Sequence, residues 1–248
     1  MKVTDQVWRG EDLVQRYLDG VRGGIPLAAE QIRILLRLAG AAVPEAGSFL
    51  DLGCGDGVLG RALAERWPGA RGVFLDFSEP MLAAARERLP DSAPHRFVLQ
   101  DYGQADWTAS LAAERPFDVV VSGFSIHHQP DTKKRTLYRD VFSLLRPGGI
   151  FLNLEHVASA SPWGSQRFDE YFVDSLCAFH ARTGTGKGRA EIERDYYSRP
   201  DKSANILAPV EDQCAWLRDI GFVDVDCYFK TFELALFGGI CRGAAAGS

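Results

Sequence analysis

The stretch Phe49-Leu50-Asp51-Leu52-Gly53-Cys54-Gly55-Asp56-Gly57 constrains this chain more than any other. An apolar run that breaks into glycines predicts a strand entering a tight turn whose backbone can approach a ligand closely. Gly55, Gly57 and Gly60 also match the G-x-G-x-x-G spelling of dinucleotide sites. The neighbouring acids argue against that ligand. A pyrophosphate seeks backbone N–H groups clear of carboxylates, yet Asp51 stands at the strand end and Asp56 lies within the loop. An ammonium or a sulfonium is a cation, so the electrostatics favour S-adenosylmethionine over NAD.

Downstream, short apolar runs alternate with helical stretches. Strands are expected at Ser48 to Leu52, Arg71 to Leu75, Arg96 to Leu99, Asp118 to Val121 and Ile150 to Leu154. Helices are expected from about Leu59 to Arg66 and from an N-cap at Ser78, with Pro80 in the first turn, through Leu89. A further helix, striped by Leu137, Val141, Leu144 and Leu145, should stop at Pro147-Gly148-Gly149. This alternation predicts an α/β fold with a parallel, doubly wound sheet.

The two ends behave differently. Residues 1–45 are helical in pattern, with Ile32, Leu35, Leu36 and Ala39 on one face. Residues 159–203 interrupt the rhythm with aromatics and charges and read as a helical insertion over the sheet's ligand-binding edge. A last helix, about Pro209 to Ile220, precedes two β-like runs, Val223–Phe229 and Phe232–Phe237, spaced to pair as an antiparallel hairpin. The whole reads as a single domain, 1–248, with an N-terminal helical cap and the insertion as a substrate lid.

The second strand ends at Asp76, nineteen residues after Gly57. An acid at that offset is placed to accept hydrogen bonds from ribose hydroxyls. Asp101, after the third strand, is a weaker candidate for the adenine amine.

Composition excludes several roles. A net charge of -5 and a pI near 5.6 give no global attraction to nucleic acid or an anionic membrane. The basic runs Lys133-Lys134-Arg135 and Lys187-Gly188-Arg189 are short and read as solvated faces. Cys54, Cys177, Cys214, Cys227 and Cys241 show no C-x-x-C spacing, so no zinc hook is expected. An odd count reads as reduced cytoplasmic thiols. No apolar run approaches a membrane span, and Met1 to Gln6 lacks a secretory apolar region.

Taken together, Asp51 to Gly57, Leu75 to Leu82, Gln100-Asp101, Phe117 to Ser122 and Leu144 to Phe151 resemble, in order, the motifs of class I S-adenosylmethionine-dependent methyltransferases. The resemblance spans roughly residues 45–157. Phe124-Ser125-Ile126-His127-His128 is similar to the ubiquinone-methyltransferase-like, small-molecule branch. It implies a Rossmann-like sheet of order 3-2-1-4-5-7-6 with the seventh strand antiparallel. It also implies Gly53 and Gly55 near the methionine moiety, Asp76 on the ribose, Phe77 and Met81 against the adenine, and Asp101 on its amine. Asp51, Cys54, Gln100, Tyr102 and Ser122 complete the expected cofactor set.

The acceptor is expected to be a small molecule methylated on O or N. His127 and His128 follow the fourth strand, where the methyl should point, and are the candidate general bases. Glu155 and His156 lie at the same sheet edge. Clustering there is expected of any pocket, so no metal is assigned. Trp8, Tyr17, Arg22 and Phe172 are the candidate acceptor contacts, and one of Arg22, Arg189 and Arg194 is a candidate partner for a substrate carboxylate or phosphate. Ser122-Gly123-Phe124-Ser125 lacks the Asx-Pro-Pro-aromatic signature of amino-methylating nucleic-acid enzymes. Two alternatives stand beside this reading: a tRNA-modification enzyme using S-adenosylmethionine or carboxy-S-adenosylmethionine, and a non-catalytic subunit that binds the cofactor. Oligomeric state is left open between monomer and homodimer.

Overall fold

The computed structural model describes residues 22–89, 95–199, 202 and 204–242. Its seven strands are β1 (Ser48–Leu52), β2 (Arg71–Asp76), β3 (His95–Leu99), β4 (Phe117–Gly123), β5 (Leu145–His156), β6 (Phe222–Thr231) and β7 (Leu234–Cys241). They form one sheet in the order β3-β2-β1-β4-β5-β7-β6. The first five strands run parallel, and β7 runs antiparallel to both β5 and β6. The predicted order and the C-terminal hairpin are both present.

The helices are α1 (Ala28–Ala42), α2 (Val58–Arg66), α3 (Glu79–Glu87), α4 (Asp131–Leu144), α5 (Pro162–Thr183), α6 (Arg189–Tyr197) and α7 (Val210–Ile220). Helices on both sheet faces explain why all five residues of β1 are buried. Alternation along the strands then divides the core. Leu50, Val120 and Phe151 pack on one side with Leu137 and Leu217, while Phe49, Val119, Val121 and Leu152 pack on the other with Leu35, Leu59 and Leu63. A smaller cluster, including Phe168, Phe172, Ile192, Tyr196 and Leu234, joins α5 and α6 to the start of β7.

Two expectations need correction. The helix expected to run to Pro147 stops at Leu144, and Leu145 is already extended at φ -83, ψ 145. Pro147 disfavours a helical Arg146, and the Arg146 guanidinium is held by Asp118. The fifth strand therefore begins five residues before Ile150. Lys134 is also no solvated residue: its side chain is 1% exposed, and its ammonium donates to Asp131 Oδ1 at 2.8 Å and to the carbonyl of Ile206.

The strand order reverses between β1 and β4, and their C-terminal ends flank a crevice of the kind where open α/β sheets bind ligands. The inserted segment leaves the sheet after β5 and returns beside it, with the Ala158 N–H donating to the Ala208 carbonyl at 3.0 Å.

Candidate active site

A cavity of about 430 Å³ occupies that crevice, with the β1 and β2 ends on one side and α5, α6 and the following segment on the other. The glycine turn forms its first wall. Gly53, Gly55 and Gly57 take φ values of 65, 53 and 78°, a left-handed region costly for other residues. At Gly53 a Cβ would meet Ser125 Oγ at 1.9 Å.

Two buried acids brace this turn. Asp76 accepts from Gly55 N–H at 2.8 Å and from Ser78 N–H at 2.9 Å. Burial pushes its carboxyl up to about 6 despite those backbone donors. Asp51 accepts from Gly60 N–H at 2.7 Å, and burial pushes its carboxyl up to about 8. Among the described residues no cation offsets the desolvation of either carboxyl, and an incoming ammonium would do so. Burial, reinforced by Asp76 and Asp51, also raises the Cys54 thiol well above its ordinary range. Asp56, by contrast, is ion-paired with Arg88, so its charge is partly answered within the protein.

Ser78 caps α3 as expected, accepting from Met81 N–H at 3.5 Å with Pro80 in the first turn. That cap aims Phe77 and Met81 into the cavity. A cradle without side chains, two acids and this apolar pair fit an adenosyl amino acid.

The other end carries the histidines. After β4, a single 3₁₀ turn, Ile126–His128, directs His127 and His128 into the cavity. Glu155, 1% exposed on β5, takes the His127 backbone N–H at 3.0 Å and lies 2.5 Å from its Nδ1. Burial lowers the His127 pKa well below the usual imidazole range, with the positive charges of His156, Lys134 and Arg199 adding to the effect. Burial raises the Glu155 carboxyl to about 7. His156 lines the cavity and pairs through Nε2 with Glu233 at 2.7 Å, which holds that carboxyl below its ordinary value against burial. Among the described residues, no group of three or more His, Cys, Asp or Glu side chains has metal-holding geometry.

Of the residues singled out in the sequence, Asp51, Gly53, Cys54, Gly55, Asp76, Phe77, Met81, His127, His128, His156 and Phe172 line this one cavity. Glu155 stands behind His127 rather than in the wall. Four others lie outside the lining. Ser122 donates to the Leu52 carbonyl at 2.8 Å, across β1 and β4. Tyr102 is 2.7 Å from Ser125 Oγ and so supports a residue that does line the cavity. Asp101 accepts from Gly103 N–H at 2.7 Å, and the Gln100 side chain donates to the Asp101 carbonyl at 3.2 Å.

Trp8 and Tyr17 lie outside the described residues. Arg22 opens the turn Arg22–Gly24, in which a Cβ at Gly23 would collide with Phe179 of α5. Arg189 is 54% exposed and paired with Asp174 and Glu193, and Arg194 is exposed. The arginine in the wall is instead Arg199, with Asn205, Tyr196 and Phe168 beside it. Aromatic clustering in the insertion points to Phe168 and Tyr196; no periodicity marks Arg199 or Asn205, which lie in irregular chain.

A family described as "Methyltransferase domain" matches residues 50–151. The chain is 32% identical over 207 residues to a trans-aconitate 2-methyltransferase of Variovorax paradoxus, covering 75% of this chain and 74% of that one. It is also 32% identical over 180 residues to a demethylmenaquinone methyltransferase of Lactococcus lactis, covering 72% of this chain and 67% of the relative. An O-methyltransferase family protein from Burkholderia thailandensis shares the fold, with a TM-score of 0.60 at 17% identity. That match covers 86% of this chain and 56% of the solved one.

Proposed function

The chain belongs to the S-adenosylmethionine-dependent methyltransferases, and on that basis we propose that it methylates an O or N atom of a small molecule with His127 as general base. The cofactor supplies an electrophilic methyl carbon attached to a sulfonium. Gly53 and Gly55 would admit the methionine moiety, with Asp51 near its ammonium. Asp76 would accept the ribose hydroxyls, and Phe77 and Met81 would hold the adenine.

The observation that carries the reading is the buried His127–Glu155 pair at the far end of the same cavity. A neutral imidazole whose Nδ1–H donates to a carboxylate leaves Nε2 as the nitrogen that can accept a proton. As His127 takes the acceptor's proton, Glu155 stabilises the imidazolium that forms. The acceptor oxygen or nitrogen attacks in line with the methyl, and the aromatic walls of α5 and α6 close the cavity as a lid that excludes water. The names of the relatives support a small-molecule acceptor.

The test is binding first and transfer second. Calorimetry with S-adenosylhomocysteine, with NAD as control, reports the cofactor half. Single-turnover methyl transfer by wild type and His127→Gln then reports the base. An equal rate in the two proteins would remove His127 from the mechanism.

A further inference from the structure

Gln31, on the first turn of α1, is wholly buried and lines the cavity. Its Nε2 donates to the Pro26 carbonyl at 2.8 Å, and Leu27 between them stands at φ 57°, folding that carbonyl back over the helix. A carbonyl only accepts, so the amide cannot be turned over without setting two oxygens face to face. Oε1 is thereby fixed at the opposite end of the group, and it has no hydrogen-bond partner among the described residues. A buried amide oxygen in a cavity wall calls for a donor, which a ligand N–H or O–H would supply.

The packing of α1 says which end of the cavity this oxygen serves. α1 leads into β1 and α2 into β2, so the two helices run the same way on one sheet face, where Leu35 shares a core cluster with Leu59 and Leu63. Near their C-terminal ends, a Cβ at Gly40 would stand 3.4 Å from the Arg66 guanidinium. Both helices rise equally per residue, so equal steps back along each reach Gln31 on α1 and Gly57 at the start of α2. Gln31 is thus level with the glycine turn, whose Gly53 and Gly55 line the cavity with it.

We infer that Gln31 Oε1 accepts a hydrogen bond from the α-ammonium of S-adenosylmethionine, beside Asp51, and so reads the amino group of the cofactor. This rests on the placing of the methionine moiety at the glycine turn. The other groups of that moiety offer no match, because a carboxylate and a sulfonium carry no hydrogen to donate. On the same placing, the ribose hydroxyls go to Asp76 and the adenine to Phe77 and Met81, beyond β2. An ammonium has several N–H groups to satisfy, and one Asp51 oxygen is already engaged by Gly60 N–H. The amide adds an acceptor without adding a charge to a turn where Asp51 and Asp76 already repel each other.

The experiment is calorimetry with S-adenosylhomocysteine, its analogue lacking only the α-amino group, and 5′-methylthioadenosine, which lacks the whole amino acid. The proteins are wild type, Gln31→Met, which keeps the length without the acceptor, and Gln31→Glu, which keeps an oxygen in place. Wild type should prefer S-adenosylhomocysteine to the deaminated analogue. Gln31→Met should cut that preference about tenfold, the size of one hydrogen bond to a charged group. Gln31→Glu should retain it, and all three proteins should bind 5′-methylthioadenosine equally. Equal losses for every ligand in Gln31→Met would leave the side chain a structural role alone and overturn the inference. An unchanged preference in Gln31→Met would also overturn it and hand Oε1 to the methyl acceptor. Wild type that binds none of the ligands would instead sink the cofactor reading, and wild type that binds 5′-methylthioadenosine as tightly as S-adenosylhomocysteine would remove the methionine moiety from the glycine turn.

Discussion

Glu155 grips His127 at two points, taking the backbone N–H at 3.0 Å with Oε2 and facing Nδ1 at 2.5 Å with Oε1. The first bond fixes the turn that carries the imidazole; the second fixes its tautomer. Glu155 Oε1 also receives the His156 backbone N–H at 2.8 Å, so one carboxylate sets the position of two cavity histidines.

Transfer should therefore depend on the charge of Glu155. Its carboxyl is raised by burial to about 7, while His127 stays neutral through that range. Below about 7 the carboxyl is protonated and cannot stabilise the imidazolium; above it the anion is present. The single-turnover rate should rise with pH through that region. Glu155→Gln should flatten the rise and slow transfer by roughly 10²–10⁴-fold. A pH profile of both proteins checks this.

Asp51 trades stability for ligand. Its carboxyl is raised from 3.8 to about 8, so the folded protein holds a proton that the unfolded chain has already lost. The sign follows: stability without ligand falls as pH rises from about 4 through 8. Asp51→Asn should raise the melting temperature at pH 8, by roughly 2–4 °C per kcal/mol recovered, and leave it little changed at pH 4. The same variant should bind S-adenosylhomocysteine more weakly. Wild-type binding at pH 7 should release a proton, seen as apparent enthalpies that differ between phosphate and Tris buffers; the variant should release none.

Gly53→Ala meets two obstacles. Its φ of 65° costs an L-residue about 1–2 kcal/mol, and the new Cβ lies 1.9 Å from Ser125 Oγ. S-adenosylhomocysteine binding should fall sharply. Adding Ser125→Gly removes the collision but not the backbone strain, so affinity should return only in part. Calorimetry on the two variants separates the contributions.

Lys134→Met should affect the acceptor and spare the cofactor. The buried ammonium holds the Ile206 carbonyl, and the Ile206 N–H donates to the His127 carbonyl at 2.8 Å. Without the lysine, the segment carrying Asn205 loses one of the bonds that tie it to the rest of the fold. Faster hydrogen exchange at Ile206 and a raised acceptor KM, at unchanged S-adenosylhomocysteine affinity, are the expected results.

Local chemistry makes the donor side legible in the sequence. Glycines that need positive φ, a serine that caps a helix and an apolar run buried on both faces leave marks within a few residues, and Ser48–Leu52 and Ser78 stand where those marks put them. The acceptor side is assembled from distant pieces. In sequence Arg199 resembles any other arginine, and the folded chain sets it against the rings of Tyr196 and Phe172; Arg189 is as able on paper, but it pairs with Asp174 and Glu193 at the surface. The Ser122 hydroxyl turns to the Leu52 carbonyl and that of Tyr102 to Ser125, and the sequence does not announce either: spacing locates their strand ends, but not which way each hydroxyl turns. The start of β5 is hidden because Leu145 continues the helical stripe, and only the Arg146–Asp118 pair and Pro147 reveal that the chain has already straightened.

The bond between Ala158 and Ala208, 3.0 Å long, closes a loop of the chain at its neck. Everything between those residues leaves the sheet and comes back to the same spot, so its length and content make no demand on strand register. Such a stretch can be exchanged whole, as insertions with adjoining ends generally can. Phe168, Phe172, Tyr196, Arg199 and Asn205 all belong to it, whereas the glycine turn, Asp51, Asp76 and the His127–Glu155 pair do not. On the reading of this insertion as a substrate lid, its share of acceptor preference is portable: grafted at its neck onto another sheet of this type, the cassette would carry its acceptor contacts and leave the donor machinery of the host in place.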